Sequence, residues 1–245
     1  MEIQNRFRRY ELKYLMTADE YEAFFRQAGA QVRPDTYGKT EILNLYYDTP
    51  DYRLIRRSLE KPVYKEKLRL RSYGVPGGED RVFPELKKKY RSVVYKRREV
   101  MTLTQAEDFL AHPIPTSQIM REIAYFLSRY EKIQPRMFLS YRREALYDSN
   151  DPGLRITFDT DIRWRTENLD LRYGAEGTPL LPPDVYLMEV KTATALPLWL
   201  VNFLTEQHIR QTSFSKYGKA YTTLCAGRAL PAESYFQTKE VKLYG

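Results

Sequence analysis

Charged side chains recur at every second position in several segments of this chain, and no other feature of the sequence restricts the fold as much. In the segment KLRLRSY, which begins at Lys67, three basic residues alternate with two leucines. Successive side chains of a β-strand point to opposite faces of a sheet, so residues two apart share a face. The same period of two occurs around Glu11, Lys87, Lys96, Arg155 and Glu189. The sequence therefore predicts a sheet with one apolar face and one charged face.

Strand-like segments alternate with helical ones along the whole chain. The predicted strands are residues 6–16, 40–48, 63–73, 81–90, 93–102, 137–147, 154–164 and 185–191. The predicted helices are residues 17–28, 51–60, 104–111, 116–130, 197–208 and 217–226, the first of them opened by a capping box of Thr17 and Glu20. Residues 168–184 are rich in Gly and Pro and predict a loop. No linker divides these elements, so we expect one α+β domain over residues 1–245 with about eight antiparallel strands.

The charged face has two interpretations. An antiparallel sheet with one solvated face produces the same alternation. Here, however, Lys and Arg dominate several strands, and like charges that face each other across strands repel. Such a face is better explained if an anion normally lies on it. Eight strands can close into a barrel with room for one ligand, and charged faces turned inward would then line a tunnel.

The composition agrees with an anionic partner and argues against several other kinds of site. Lys and Arg outnumber Asp and Glu by 40 to 32, which gives a formal net charge of +8. Cys225 is the only cysteine, and His112 and His208 are far apart in sequence, so a disulfide framework, a thiolate metal site and a histidine zinc site are not expected. No apolar leader and no apolar stretch long enough to span a bilayer is present. We therefore expect a soluble, cytoplasmic protein.

Eight segments of the chain resemble one known family, in order and over nearly the whole length. They are RYELKY from Arg9, LYYDTPDYRL from Leu45, KLRLRSYG from Lys67, PELKKKY with VVYKRRE from Pro84, SYRREAL from Ser140, LRITFDTDI from Leu154, LMEVKT from Leu187 and SFSKYGKAY from Ser213. Each segment alone is a weak signal, but eight in sequence are specific. They resemble the VTC domain, the catalytic domain of the vacuolar transporter chaperone complex. That domain is one of the triphosphate tunnel metalloenzymes, together with the CYTH proteins.

The resemblance implies a fold, a reaction and a set of site residues. The fold is a closed tunnel of eight antiparallel strands with flanking helices. The reaction is the polymerisation of inorganic polyphosphate from ATP, with Mn²⁺ or Mg²⁺. The residues at the matching positions that would form the catalytic phosphate-binding site are Lys13, Arg69, Arg71, Lys87, Arg143, Arg155 and Lys216, with Lys89, Lys96 and Arg98 as further phosphate-binding residues. Glu189 would be the metal ligand, whereas Glu11 and Glu85 could either bind metal or pair with nearby arginines.

The sequence leaves three functions open: an ATP-dependent polyphosphate polymerase, a tunnel tri- or polyphosphatase, and a non-catalytic polyphosphate-binding module. The stricter CYTH pattern of alternating Glu residues is absent, which disfavours a simple triphosphatase. Tyr64, Tyr90 and Tyr95 lie in the opposite phase to the charges, so we expect no nucleic acid on this face. The expected partners are ATP and inorganic polyphosphate. We expect neither the membrane segment nor the SPX-type sensor domain of the eukaryotic assemblies, and association with a separate membrane protein is left open.

Overall fold

The computed structural model describes residues 10–91 and 93–227, and these form one antiparallel sheet with six α-helices. The ten strands of this part of the chain are β1 (Tyr10–Thr17), β2 (Val32–Asp48), β3 (Tyr64–Tyr73), β4 (Arg81–Tyr90), β5 (Val93–Arg98), β6 (Met101–Thr102), β7 (Gln134–Asp148), β8 (Arg155–Arg165), β9 (Thr178–Pro179) and β10 (Val185–Thr192). Their order across the sheet is β1-β10-β8-β7-β2-β3-β4-β5, with β6 beside β4 and β9 beside β8. All pairs are antiparallel, as predicted.

Three segments of the sheet differ from the prediction. The strand predicted over residues 93–102 is divided into β5 and β6. β2 begins at Val32, well before the predicted start, because a register shift between Pro34 and Lys39 lets it continue to pair with β7 past Pro34 and Gly38. The predicted loop at residues 168–184 contains the two-residue strand β9. The beginning of the first predicted strand, including Arg9, lies outside the described residues.

The prediction of a closed barrel was wrong, because the two end strands β1 and β5 form no hydrogen-bonded pair within residues 10–91 and 93–227. The outer edge of β1 is already occupied by the segment that leads to the last helix. The Thr212 amide donates to the Lys13 carbonyl at 2.7 Å, and Tyr14 forms a bridge with Gln211. The sheet nevertheless curls strongly, since Lys87 Nζ on β4 comes within 3.7 Å of Glu11 Oε2 on β1. The result is a curled sheet whose two ends meet through side chains.

Six helices in the described residues pack against this sheet. They are α1 (Ala18–Ala28), α2 (Arg53–Leu59), α3 (Leu103–Ala111), α4 (Gln118–Ser128), α5 (Leu198–Glu206) and α6 (Lys216–Ala226). Of these, α1, α3, α4 and α5 cover the convex face. The predicted capping box at Thr17 and Glu20 is confirmed, with both reciprocal hydrogen bonds present. None of the helices in the described residues is both long and apolar enough to cross a membrane.

Two apolar clusters lie between the convex face and these helices. One joins Leu68 and Leu86 of the sheet to Phe109 of α3 and Phe126 of α4. The other joins strands β1, β8 and β10 to α1 and α5, with the Phe24 ring in contact with both Phe158 and Phe203. Burial of these apolar side chains holds the convex face against its helices. The alternating charged side chains must therefore point to the concave face, as the period of two predicted.

A third apolar cluster closes one end of the concave face with α2 and α6. Tyr217 of α6 stacks on Tyr46 of β2, with ring centroids 4.5 Å apart. Asp48 is fully buried beside them and accepts hydrogen bonds from the Leu54 and Ile55 amides at the start of α2 and from the Tyr217 hydroxyl at 2.8 Å. This one carboxylate therefore fixes both helices to the sheet.

Substitution of Tyr217 by Phe tests this connection. Removal of the hydroxyl leaves a buried carboxylate oxygen with one donor fewer, so Tyr217→Phe should lower the free energy of unfolding by about 1.5–3 kcal/mol. Urea denaturation measures the change. The exposed Tyr173 provides the control, since Tyr173→Phe should change stability by less than about 0.5 kcal/mol. Equal effects of the two substitutions would contradict the anchoring role of Asp48.

Candidate active site on the concave face

Glu189 lies at the centre of a group of basic side chains on the concave face. The register places Lys13, Glu189 and Thr157 in one row across β1, β10 and β8. Glu189 Oε1 accepts from Lys216 Nζ at 3.0 Å and lies 3.2 Å from Lys13 Nζ, while Oε2 accepts from Arg143 Nη2 at 3.2 Å. The predicted metal ligand thus contacts three of the predicted phosphate-binding residues.

Asp159 joins this group from β8 and is fully buried. Its two oxygens accept from Nε and Nη2 of Arg143, each at 2.6 Å, and it also pairs with Lys216. Burial alone would raise the pKa of both carboxyls. The adjacent cations outweigh burial, with Arg143 and Lys216 lowering the pKa of Asp159, and Lys216 and Lys13 holding the pKa of Glu189 well below its ordinary value. Both groups are therefore carboxylates at neutral pH.

Lys216 is the first residue of α6 and projects into this carboxylate pair. Burial would lower the pKa of this lysine, but Asp159 and Glu189 raise it above the ordinary value, so the side chain stays charged. Its Nζ also lies 4.6 Å from the centroid of the Tyr141 ring. The segment before α6 adds a further contact, because Lys13 Nζ donates to the Phe214 carbonyl at 2.9 Å. The SFSKYGKAY segment therefore lines the site rather than lying outside it.

Glu85 organises a second group of cations on β3, β4 and β5. Its carboxylate is buried and lies within 4 Å of four basic side chains, which are Arg69, Arg71, Lys96 and Arg98. Burial would raise the pKa of Glu85, but Arg69 and Arg71 lower it far below the ordinary value. Glu85 therefore has the pairing role in this structure, as the partner of basic side chains on three strands.

Glu11 of β1 connects the two groups across the seam of the sheet, which is the line where β1 and β4 approach each other. Its Oε1 lies 3.3 Å from Lys13 Nζ and its Oε2 lies 3.7 Å from Lys87 Nζ. Burial raises its pKa, but Lys87 and Lys13 outweigh this and lower the pKa to about 2. The concave face is therefore one continuous network of charges from β10 to β5.

Two of the predicted residues lie at the margin of this network. Arg155 pairs with Asp35 at 2.9 Å and lies over the Tyr147 ring, away from Glu189. Lys89 lies opposite Lys65 on the neighbouring strand and forms no ion pair with any described residue. All other predicted residues belong to the Glu189 group, the Glu85 group or the Glu11 bridge between them.

Sequence reasoning did not assign roles to several residues that the fold brings into the site. Asp159 and Thr157 were recognised only as part of an alternating strand, and Tyr141 preceded the matched Arg143 by two positions without being noted. Lys67 shares the face of Arg69 and Arg71 and begins the matched segment KLRLRSYG, but it was given no role. The period of two was the available signal for all four residues, because each has the phase of a residue that was predicted correctly to face inward.

The donors near Glu189 fit a divalent cation that also binds the substrate. Within the described residues, no three His, Cys, Asp or Glu side chains gather as a ready-made metal cage. Glu189 supplies a carboxylate, and Thr157, its register neighbour, has a buried Oγ1 with no hydrogen-bond partner among the described residues. Carboxylate and hydroxyl oxygens are the hard ligands that Mg²⁺ and Mn²⁺ accept, and a few protein ligands suffice when phosphates and water complete the shell.

Comparison with known families identifies the chain. The VTC domain model matches residues 8–225. The chain belongs to the VTC domain family. No curated protein matches it significantly.

Two solved structures share the fold. One is a Bacillus halodurans protein provisionally assigned as an adenylate cyclase, with a TM-score of 0.55, 16% identity, and coverage of 84% of this chain and 92% of that chain. The other is a Hippeastrum adenylyl cyclase, also provisionally assigned, whose dominant activity is that of a triphosphatase. It has a TM-score of 0.50, 16% identity, and coverage of 92% of this chain and 98% of that chain. At 16% identity, both likenesses concern the fold alone.

Lys67 is the residue of this face whose charge is least well compensated, and its substitution tests the electrostatics. Burial and the neighbouring Lys65, Lys87, Lys13 and Arg69 lower its pKa from 10.5 to about 7. Between these two pH values the unfolded chain binds a proton that the folded protein does not, so the stability of the wild type falls as the pH decreases from 10.5 to 7. Below about pH 7 the loss of stability caused by Lys67 is constant.

Lys67→Met should therefore stabilise the unliganded protein, and the gain should be largest at pH 7 or below and shrink as the pH approaches 10.5. Urea denaturation at pH 7 and pH 9.5 measures this. Lys87→Met is the matched control, because Lys87 is half-exposed and paired with Glu11, and it should give no such gain. A Lys67→Met variant that is less stable than the wild type at pH 7 would refute the electrostatic argument.

Proposed function

We propose that this protein is an ATP-dependent polyphosphate polymerase, which transfers the γ-phosphoryl group of ATP to the end of an inorganic polyphosphate chain on the concave face. The observation that carries this proposal is the convergence of Lys13, Arg143 and Lys216 on Glu189, in a chain of the VTC domain family. Phosphate is the anion that this set of donors suits best. Arginine contacts phosphate oxygens through two parallel hydrogen bonds, and lysine acts as a point charge.

The distribution of charge favours an extended anion over a single phosphate. Each buried carboxylate orients several cations without neutralising them, and Glu85 alone contacts four. The two groups of cations are joined by Glu11 and Lys87 across the seam. A phosphate chain carries a negative charge on every unit, so it can contact both groups at once.

Phosphoryl transfer requires positioning and charge stabilisation more than covalent chemistry by the protein. A terminal oxygen of the polyphosphate chain attacks the γ-phosphorus of ATP, the bond between that phosphorus and the β,γ-bridging oxygen breaks, and ADP leaves with the electron pair. Lys216, Arg143 and Lys13 would stabilise the charge on the transferred group. Asp159 acts as a positioning residue, since it holds Arg143 and Lys216 in place. Glu189 with Thr157 would hold a divalent Mn²⁺ or Mg²⁺ ion, which neutralises phosphate charge.

A tunnel tri- or polyphosphatase is the second candidate. The same basic residues would serve, with water as the acceptor in place of the chain end. The support for this alternative is the shared fold with the Hippeastrum protein and its dominant triphosphatase activity. A non-catalytic polyphosphate-binding module would need no carboxylate at Glu189. The cytoplasmic location and the association with a membrane protein stay predictions.

The nature of the products separates these candidates. With ATP and Mn²⁺ the purified protein should release ADP and form polymer, and a short polyphosphate primer should remove any lag. Gel staining for polyphosphate, together with phosphorus NMR, measures both products. Orthophosphate without polymer would establish the phosphatase instead, and binding of polyphosphate without turnover would leave only the binding module.

Glu189→Gln tests the proposed metal ligand. The substitution keeps the shape and removes the charge, so turnover should fall by at least ~10²-fold, as it does when a key electrostatic group is lost. Tripolyphosphate binding without metal should not weaken, because one repulsive carboxylate is gone. The control is Glu122→Gln, since Glu122 on α4 pairs with Lys88 and Arg97 on the convex side. Near-normal turnover of Glu189→Gln at saturating Mn²⁺ would remove Glu189 from the site.

A further inference from the structure

Three lysines of the concave face, Lys65, Lys67 and Lys89, have no acidic partner within ion-pair distance in the described part of the chain. Lys65 lies opposite Lys89, and Lys67 lies opposite Lys87, in consecutive same-face rows of β3 and β4. Lys65 Nζ donates to the Ser58 carbonyl at 3.2 Å, and Lys67 Nζ donates to Ser215 Oγ at 3.3 Å. Within residues 10–91 and 93–227, Lys65, Lys67 and Lys89 form no ion pair. They differ in this respect from the cations around Glu189, Glu85 and Glu11.

The surroundings of Lys67 give it no compensating charge. Lys65 and Arg69 flank it on its own strand, Lys87 faces it from β4, and Lys13 faces it from β1. Lys96 of β5 lies beside Lys87 in the register. Lys67 Nζ also contacts Ser215, which precedes α6, and lies 5.8 Å from the centroid of the Tyr217 ring on α6. On the adjoining β2, Tyr46 is stacked on Tyr217. Asp48 already accepts hydrogen bonds from five donors, which are the Thr49, Leu54 and Ile55 amides and the Thr49 and Tyr217 hydroxyls.

Like charges held together in a partly buried site are unfavourable unless a ligand of opposite charge joins them. At Glu189, Asp159 and Glu85 the fixed carboxylates offset part of the surrounding positive charge, so an anion gains less from each cation there. No carboxylate opposes an anion at the three unpaired lysines. The two parts of the concave face therefore differ in what they require in order to bind phosphate.

We propose that Lys65, Lys67 and Lys89 form an anchoring subsite that holds an inorganic phosphate chain by charge alone, without a divalent metal. This inference rests on the proposed function in one respect, which is that a phosphate chain enters the concave face. Its consequence is that different units of the phosphate chain are bound in different ways. The distal units stay bound at the lysines while the metal-dependent end exchanges ADP for ATP, so successive transfers extend the same chain.

Binding at this subsite is coupled to proton uptake. The pKa of Lys67 is about 7 in the unliganded protein, and a polyanion beside it raises that pKa. At pH 8 the chain therefore binds together with a proton at Lys67, whereas at pH 6 Lys67 is charged beforehand. An arginine at this position is charged at both pH values and takes up no proton.

Calorimetric titration of the full chain with tripolyphosphate in EDTA tests the proposal. The wild type should bind without metal, and Lys67→Met and Lys89→Met should each weaken binding by about tenfold or more, as loss of a charge-assisted contact does. Lys67→Arg should retain the affinity within about threefold, because the charge is kept. Titrations in two buffers of different ionisation enthalpy should show fewer protons taken up by Lys67→Arg than by the wild type at pH 8, and equal numbers at pH 6.

The comparison between the wild type and Lys67→Arg cancels the protonation of tripolyphosphate itself, since the same ligand is used with both. Lys88→Met is the matched control on the convex side of β4, where Lys88 pairs with Glu122, and it should leave binding unchanged. Three outcomes would overturn this inference alone. They are binding that requires Mn²⁺, binding by both Met variants that is as tight as that of the wild type, and equal proton uptake by Lys67→Arg and the wild type at pH 8. Failure of tripolyphosphate to bind with or without Mn²⁺ would overturn the proposed function as well.

Discussion

The repulsion among basic side chains on a concave surface is the constraint on which the rest of this structure depends. A curled sheet brings same-face residues of distant strands close together, so cations that would be separated on a flat sheet become neighbours. Buried carboxylates offset this repulsion at fixed points, with Glu189 and Asp159 in one group and Glu85 in the other. A buried acid that binds several cations is strongly held in place, because loss of either partner would leave an uncompensated charge.

The apolar half of the molecule determines where these charges can lie. The helices on the convex face bury the alternate side chains of the strands, which leaves the charged positions only the concave side. Asp48 fixes the start of α2 and the Tyr217 hydroxyl of α6, and the residue before Tyr217 is Lys216. The position of a site lysine thus depends on a hydrogen bond within the core, and the packing and the chemistry of this protein are coupled through one helix.

The period of two was sufficient to predict the strands and the charged face, because side-chain alternation depends only on backbone geometry. Its inward direction was predicted from the repulsion among like charges and from the resemblance. The residues around Glu189 were predicted through short segments whose order along the chain is itself informative. Closure of the barrel was predicted wrongly, since an eight-strand count does not reveal that Gln211 and Thr212 would occupy the edge of β1. The partnerships of Asp159 and Lys67 could not be predicted either, because they depend on which strands become neighbours, and sequence spacing does not contain that information.

The edge strands β1 and β5 affect how readily the protein aggregates in concentrated solution. An unpaired strand edge is a template on which another chain can add a strand, the first step of many aggregation processes. At β1 this template is covered, since the Thr212 amide already bonds to the Lys13 carbonyl. At β5 the inward-facing Lys96 and Arg98 are bound to Glu85 across the register. A second molecule that extended the sheet from β5 would have to accommodate these charges against its own, so the residues that serve the site also discourage self-association.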